Sequence, residues 1–412
     1  MTMSRPEISA KCADLVTAAR DLAPEIAAAV PSYRGASDLP ASVVAAMKEA
    51  GLHKSYMPLR YGGYELDWGA HYYISREIAQ ACGSAGWIAG LVFTHVMCIG
   101  RFPEKAQDAF FTASPDGILA TASAGSGVLE RVPGGMRLSG RWGWASGVRH
   151  AGGLMVIAKE GDGPLFTHFC LLLPGEYTIE DTWDSAGLHA TGSHHVKIVN
   201  QFIPDERLVE RDVYLAPNPP GSGIHSSYVY RLRPAPLQKS YFMGPLLGTA
   251  KGALTATIEQ TAKRRGQIVG ERVAVQTPVQ VNLGVATAEI DAATLVFDEY
   301  IRRLHAWGLS GQDIAPDDLL WGKRNVTFAS RLCLSAADRL SAGLGAGGQL
   351  QSNPVPRLYT DCRSITTHVE LHWDHSMAPT GMLALGLPTG DPLIDREATD
   401  PRADRVIIGT QI

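Results

Sequence analysis

A chain of 412 residues that is 45% apolar and 19% charged has material for a large buried core, and its length is that of two or three domains. A formal net charge of -4 excludes the basic excess of a nucleic-acid binder. The six cysteines (Cys12, Cys82, Cys98, Cys170, Cys333, Cys362) show no CxxC pairing and read as reduced thiols of a cytoplasmic protein, not as a disulfide framework.

The first thirty residues carry interspersed acids and bases and no apolar core bounded by a cleavage site, so neither a signal peptide nor a membrane span is expected there. Apolar residues recur at helical spacing from Ser9 to Ala29 until Pro31 and Gly35 break the pattern. The next run predicts a short helix, with Asp38 as its cap and Gly51 as its stop. Tyr61-Gly-Gly-Tyr64 reads as a turn, and helical periodicity resumes from Trp68 to Cys82. Gly86–Gly100 is nearly all apolar and too short to span a bilayer, which predicts a buried helix. Its one interruption, His95, is equally a hydrogen-bonded core residue or the polar contact of a pocket.

Around Gly117 the texture changes to short β-rich runs separated by Gly, Ser and Pro, as in GMRLSGRWGWASG and GLMVIAKEG, continuing to Ile203. From Leu215 to Pro236, Pro, Gly and Ser predict a long loop or linker. Helical periodicity returns at Tyr241 and defines four long amphipathic helices, enough to enclose a bundle core. The expected class is α+β: an N-terminal helical domain (1–116), a middle antiparallel β domain (117–214), a loop or linker (215–240) and a C-terminal four-helix bundle domain (241–412).

The last of those helices, Pro356–Asp374, holds the densest chemistry. At helical spacing Asp361, Ile365, His368 and His372 share one face, which then carries two imidazoles able to move protons near neutral pH. A shared metal would need a third ligand from Asp374 or His375, and Glu370 stands one place late for H-E-x-x-H, so no metal is expected.

Three segments together carry a resemblance along nearly the whole chain: LPASVVAAMKEAGLHKSYMPLRYGGYELDW, WDSAGLHATGSHHVKIVNQFIPDERLV and PRLYTDCRS. They resemble the acyl-CoA dehydrogenase fold. The carboxylate base that the dehydrogenases carry in the last helix falls here at Val369, with Glu370 about 100° further round a helix, so acyl-CoA desaturation is disfavoured. The departures resemble the reduced-flavin-dependent monooxygenases of the same fold, the oxygenase components of two-component aromatic hydroxylases.

That resemblance implies several roles. Trp142-Gly-Trp-Ala-Ser146-Gly147 would place a hydroxyl near the flavin, with Trp142, Ser146 and Gly147 in the cofactor site. His368, ahead of Trp373-Asp374, would face the reactive edge of the flavin, and His95 would line the substrate pocket with Trp144 and His372. Thr191 and Ser193 are implied flavin donors and Arg265, or Arg264 beside it, the phosphate ligand. Turn chemistry and a solvated helix end are the ordinary readings of those same residues. The implied reaction consumes FMNH2 or FADH2 from a separate reductase and O2. It passes through a C4a-hydroperoxyflavin that Ser146 shelters by accepting from N5–H and His368 assists by proton delivery, and it hydroxylates a small aromatic or heteroaromatic molecule. The resemblance further implies a homotetramer, with no nucleic acid and no membrane as partner. The rival expectations are an acyl-CoA dehydrogenase or oxidase with a relocated base at Glu370, and a noncatalytic scaffold of the same fold.

Overall fold

The computed structural model describes residues 8–162, 166–266, 270–348 and 350–395. Ser9 opens α1 (Ala10–Ala29) by accepting the Cys12 N–H, and a 3-10 turn containing Pro31 closes it. The next helix, α2 (Ala41–Glu49), stops ahead of Gly51, which takes the left-handed conformation at φ 75°. Asp38 does not cap it. Pro40 occupies the N-cap, which leaves Asp38 too early to reach the first amides. The Asp38 carboxylate turns instead to the middle domain, where it accepts from His194 Nε2 at 3.0 Å beside the backbone bridge to Thr191.

A third helix, α3 (Ala70–Ala81), is followed by the apolar stretch expected as one helix, which is buried but not uniform. It divides into α4 (Gly83–Trp87), a π turn (Ile88–Val92) and 3-10 turns (Thr94–Arg101) before α5 (Glu104–Ala113). Gly83–Arg101 is long and apolar enough to cross a membrane, yet 89% of it lies buried inside the protein. A π turn adds a residue to the helical turn and so re-aims the side chains that follow it, a distortion frequent at functional sites.

Among the described residues the middle domain holds eight strands: β1 (Ala120–Ala122), β2 (Ala124–Val132), β3 (Gly135–Ala145), β4 (Leu154–Glu160), β5 (His168–Leu172), β6 (Thr178–Glu180), β7 (His194–Pro204) and β8 (Leu208–Glu210). Their order is β6-β7-β3-β2-β4-β5-β8, with β1 beside β4. Most pairs are antiparallel as expected, but β1 and β2 both run parallel to β4, so the sheet is mixed. Met136, Leu138, Trp142 and Val196 centre a core of its own, distinct from the large helical core.

The stretch expected as a linker is packed. A short helix at the end of the expected β region, α6 (Arg211–Leu215), leads into it, and it forms 3-10 turns and α7 (Pro234–Leu237), because the fully buried Arg101 guanidinium donates to the carbonyls of Tyr214, Ala216, Tyr230 and Leu232. The bundle follows as α8 (Ser240–Lys263), α9 (Thr277–Ser310), α10 (Pro316–Ala342), the short α11 (Gly345–Gly348), α12 (Pro354–Thr366) and α13 (Trp373–Ala384). The fourth long helix is therefore broken. Thr366 and Thr367 hydroxyls bond back to the carbonyls of Arg363 and Ser364, His368 takes an extended φ/ψ of -61°/140°, and a 3-10 turn (Val369–Leu371) precedes α13. Asp361, Ile365, His368 and His372 do not share a helical face.

Asp361 fastens this segment to the rest. Its buried carboxylate accepts the Leu188 N–H at 2.7 Å, faces the Arg357 guanidinium at 3.8 Å, and lies so near Gly83 that a Cβ there would come within 2.6 Å of it. Asp361→Ala strands a buried amide and a guanidinium and should cost about 2–4 kcal/mol in urea unfolding; a wild-type midpoint would show the tie to be dispensable. Burial also holds imidazoles neutral, His71 down to about 3 and His53 and His95 to about 4, from an ordinary 6.5. The unfolded chain then binds more protons between those values and 6.5. Stability is complete above pH 6.5 and declines below it, by about 1.4 kcal/mol per pH unit for each histidine. Urea unfolding at pH 6.5 and 5 should show this slope, reduced by one histidine's share in His71→Gln; a pH-independent midpoint would contradict it.

Candidate active site

The helix break sets His368. As cap of the turn that follows, its Nδ1 accepts the Glu370 N–H at 3.2 Å, which leaves the proton of the neutral ring on Nε2. The ring lies 4.2 Å from that of Phe242 on α8 and 6.2 Å from that of Trp87 at the end of α4, centroid to centroid. Burial against these rings pushes the imidazole down to about 4, and the Lys239 ammonium adds to the effect. His368 is therefore neutral throughout the physiological range.

Ser146 reaches the same indole from the sheet. The β3–β7 register slips between Trp142 and Ala145, and Trp144 takes a φ of 61°, so the strand swivels just before Ser146. Gly147 then turns left-handed at φ 65°, donates its N–H to Thr191 O at 2.8 Å, and packs so closely on the π turn that a Cβ would meet Ile88 at 3.1 Å. The Ser146 hydroxyl accepts from Trp87 Nε1–H at 3.1 Å and contacts Ser193 Oγ at 2.8 Å, which contacts Thr191 Oγ1 at 2.7 Å.

The direction of that relay follows from its far end. Thr191 spends its proton on Leu188 O at 2.9 Å, so Ser193 donates to Thr191 and Ser146 donates to Ser193. The Ser146 oxygen retains one acceptor lone pair and no free proton, and the hydroxyls of Thr191 and Ser193, expected as flavin donors, have likewise spent their protons on Leu188 O and Thr191. A group placed against it must bring an N–H or O–H of its own.

His95 completes the neighbourhood from the 3-10 turns. It is buried and neutral, its nitrogens lie 3.4 and 3.5 Å from Thr121 Oγ1, and its ring meets Tyr241 edge-on at 6.0 Å. Tyr241 and Phe242 are consecutive, so one turn of α8 touches His95 through the first and His368 through the second. Ser146, Gly147, Thr191, Ser193, His368 and His95 thus gather around Trp87 and the start of α8.

The other residues expected at the site lie elsewhere. Trp142 is fully buried in the sheet core, its indole donating to Ile157 O at 2.8 Å. Trp144 is 63% exposed, swung out by the bulge that brings Ser146 in. His372 is exposed against His375, at 4.4 Å between rings. Arg265 and Arg264 end α8 as exposed side chains, bonded to Gly270 O and Leu344 O. Among the described residues no three His, Cys, Asp or Glu groups converge as a metal site. Sequence reasoning missed Trp87, Thr121, Lys239, Tyr241 and Phe242. The only signal for them was Gly86-Trp87 standing one π turn ahead of His95, since an aromatic in an apolar run reads as core.

A reduced flavin meets the requirement set by Ser146, because it carries ring N–H groups where the serine offers only an acceptor. The family pattern described as acyl-CoA dehydrogenase, N-terminal domain, matches residues 11–112, and acyl-CoA dehydrogenase, C-terminal domain, matches residues 240–373. A pigment production hydroxylase of Rhodococcus sp. is 30% identical over 350 residues, spanning 84% of this chain and 89% of that protein. The oxygenase component of an FADH(2)-dependent resorcinol hydroxylase of Rhizobium sp. is 29% identical, spanning 85% and 88%. Among solved structures, XiaF from Streptomyces sp., in complex with FADH2 and glycerol, superposes with a TM-score of 0.85 at 25% identity, over 93% of this chain and 97% of that one. The chain belongs to the acyl-CoA dehydrogenase fold family, in its branch of oxygenase components of two-component flavin-dependent hydroxylases.

Proposed function

We propose that this protein takes FADH2 or FMNH2 from a separate reductase and uses O2 to hydroxylate a small aromatic or heteroaromatic molecule. The observation that carries the reading is the shared indole: Trp87 touches both an acceptor-only hydroxyl and a neutral imidazole that donates through Nε2. Reduced flavin, when bound, would supply the two electrons that activate O2, of which one oxygen atom goes to the substrate and the other leaves as water.

The chain's own residues do the rest. Ser146 accepts an N–H of the cofactor and cannot compete for it as a donor. Accepting strengthens that proton's attachment and withholds it from water. Trp87, Phe242 and Val92 are buried and keep the place dry. His368 Nε2–H donates to negative charge developing on oxygen. With its basicity lowered, it acts at neutral pH as a hydrogen-bond donor instead of an imidazolium proton store. His95, Thr121 and Tyr241 supply a polar contact for a ring hydroxyl or N–H on an otherwise apolar substrate.

The phosphate end is a different matter. Phe242 stands in the first turn of α8 and Arg264 just past its end, about 21 helical residues or roughly 32 Å away, further than a flavin's phosphates reach from its ring. An Arg265 or Arg264 contact with phosphate then belongs to the ring site of a second copy, which supports an assembly of more than one copy; a homotetramer in the cytoplasm is the form we propose for it.

The test is to add FADH2 or FMNH2 anaerobically, admit O2 with a panel of phenols and indoles, and measure product and H2O2. Hydroxylated product from at least one ring class is expected; oxygen uptake without any product contradicts the reading. His368→Ala should keep consuming oxygen while coupling falls by roughly 10-fold or more in favour of H2O2, and unchanged coupling would remove His368 from the chemistry. Ser146→Ala should raise the H2O2 share several-fold, with Ser146→Cys between the two. Coupling in the wild type should be level from pH 8 to 6, because His368 does not titrate there; a step near pH 6.5 would contradict its neutral state.

A further inference from the structure

Lys239 stands immediately ahead of α8, 7% exposed, at the positive end of a helix dipole, which is an unfavourable place for a cation. Its ammonium donates to the Glu370 carbonyl, to Ser376 Oγ at 3.1 Å and to Thr327 Oγ1 at 3.5 Å. Those acceptors come from the turn after His368, from α13 and from α10, and all are uncharged. No carboxylate lies within ion-pair distance of it among the described residues. The Glu370 carboxylate is near enough to attract it, and Lys323, paired with Asp391, to repel it.

Burying an ammonium on neutral acceptors costs stability, and a well-packed apolar side chain would fill the same space more favourably. The expense has a counterpart in geometry. The Glu370 N–H holds His368 Nδ1 while the Glu370 carbonyl is held by Lys239, so one residue lies between the imidazole and the ammonium. We propose that Lys239 is a positioning residue for His368: it clamps the α12–α13 break and so keeps the imidazole against Phe242 and Trp87. The inference rests on the functional reading above and extends it to a residue that touches neither cofactor nor substrate.

Two consequences follow from a fixed positive charge beside the ring. The imidazolium is disfavoured more than burial alone requires, and the Nε2–H donor keeps one orientation. The other charged groups around the turn are Glu370 and, from α10, Lys323 with its partner Asp391, while Arg331, Arg363, His372 and Asp374 line the outer side of the break.

The experiment uses Lys239→Met and Lys239→Arg in the full chain, with Ser376→Ala as a milder change that leaves the ammonium on the Glu370 carbonyl. In flavin-free protein the His368 ring resonance, assigned with His368→Asn, is followed by NMR against pH. Lys239→Met should move its midpoint up by about one pH unit and broaden the resonance, Lys239→Arg should hold it near wild type, and Ser376→Ala should shift it in the Met direction by less. With FADH2 or FMNH2, O2 and substrate, Lys239→Met should lower coupling several-fold without loss of thermal stability, and Lys239→Arg should recover most of it. A His368 midpoint and line width unchanged in Lys239→Met overturn the inference; should that variant not fold, an unchanged ring in Ser376→Ala does so. A shifted ring with unchanged coupling leaves the clamp standing and overturns the reading of the reaction instead.

Discussion

The hydrogen bond from the Trp87 indole to Ser146 is the constraint on which the rest of the structure depends. It joins a distorted helix of the N-terminal domain to the end of a strand in the middle domain, and the same indole borders His368 of the bundle. A π turn follows Trp87, a register slip precedes Ser146 and a break after α12 sets His368 beside the same indole, three local departures from regular structure. Each costs backbone hydrogen bonding, and each turns a side chain toward the same place. The irregularities are where the three domains have been made to meet.

Electrostatics in this place are set by what is withheld. His71, His95 and His368 are held neutral by burial, and the hydroxyl relay from Ser146 to Leu188 O spends every proton it has. The surroundings of Trp87 therefore present an acceptor from Ser146 and a neutral donor from His368, with fixed charge at Lys239 behind the turn and at the arginines at the far end of α8. A low-dielectric site strengthens such oriented dipoles, while the buried ammonium of Lys239 rests on neutral acceptors behind the turn.

Much of this was legible in the sequence. Helical spacing, Gly stops and the change in texture near Gly117 located the helical, β and bundle regions, because those signals are local. Ser146, Thr191, Ser193, His95 and His368 were legible through resemblance, and they do converge. What was not legible depends on tertiary contact. Asp38 reads as a cap until Pro40 displaces it and His194 claims the carboxylate. The 215–240 stretch reads as a linker because its anchor, Arg101, lies more than a hundred residues away. Periodicity continues across Thr366–His372, so the helix break is invisible, and with it the outward turn of His372. A one-residue register slip decides that Ser146 faces inward while Trp144 faces solvent, and alternation within one strand does not reveal it.

The central claim is that Ser146 and His368 flank a single cofactor ring beside Trp87. A crystal structure of the protein soaked anaerobically with FADH2 tests it most directly. The isoalloxazine is expected in contact with both side chains, with Ser146 Oγ within hydrogen-bond distance of a ring N–H. A ring bound away from Trp87, for instance in the cleft of about 500 Å³ lined by Tyr64, Arg231 and Trp307, would contradict it.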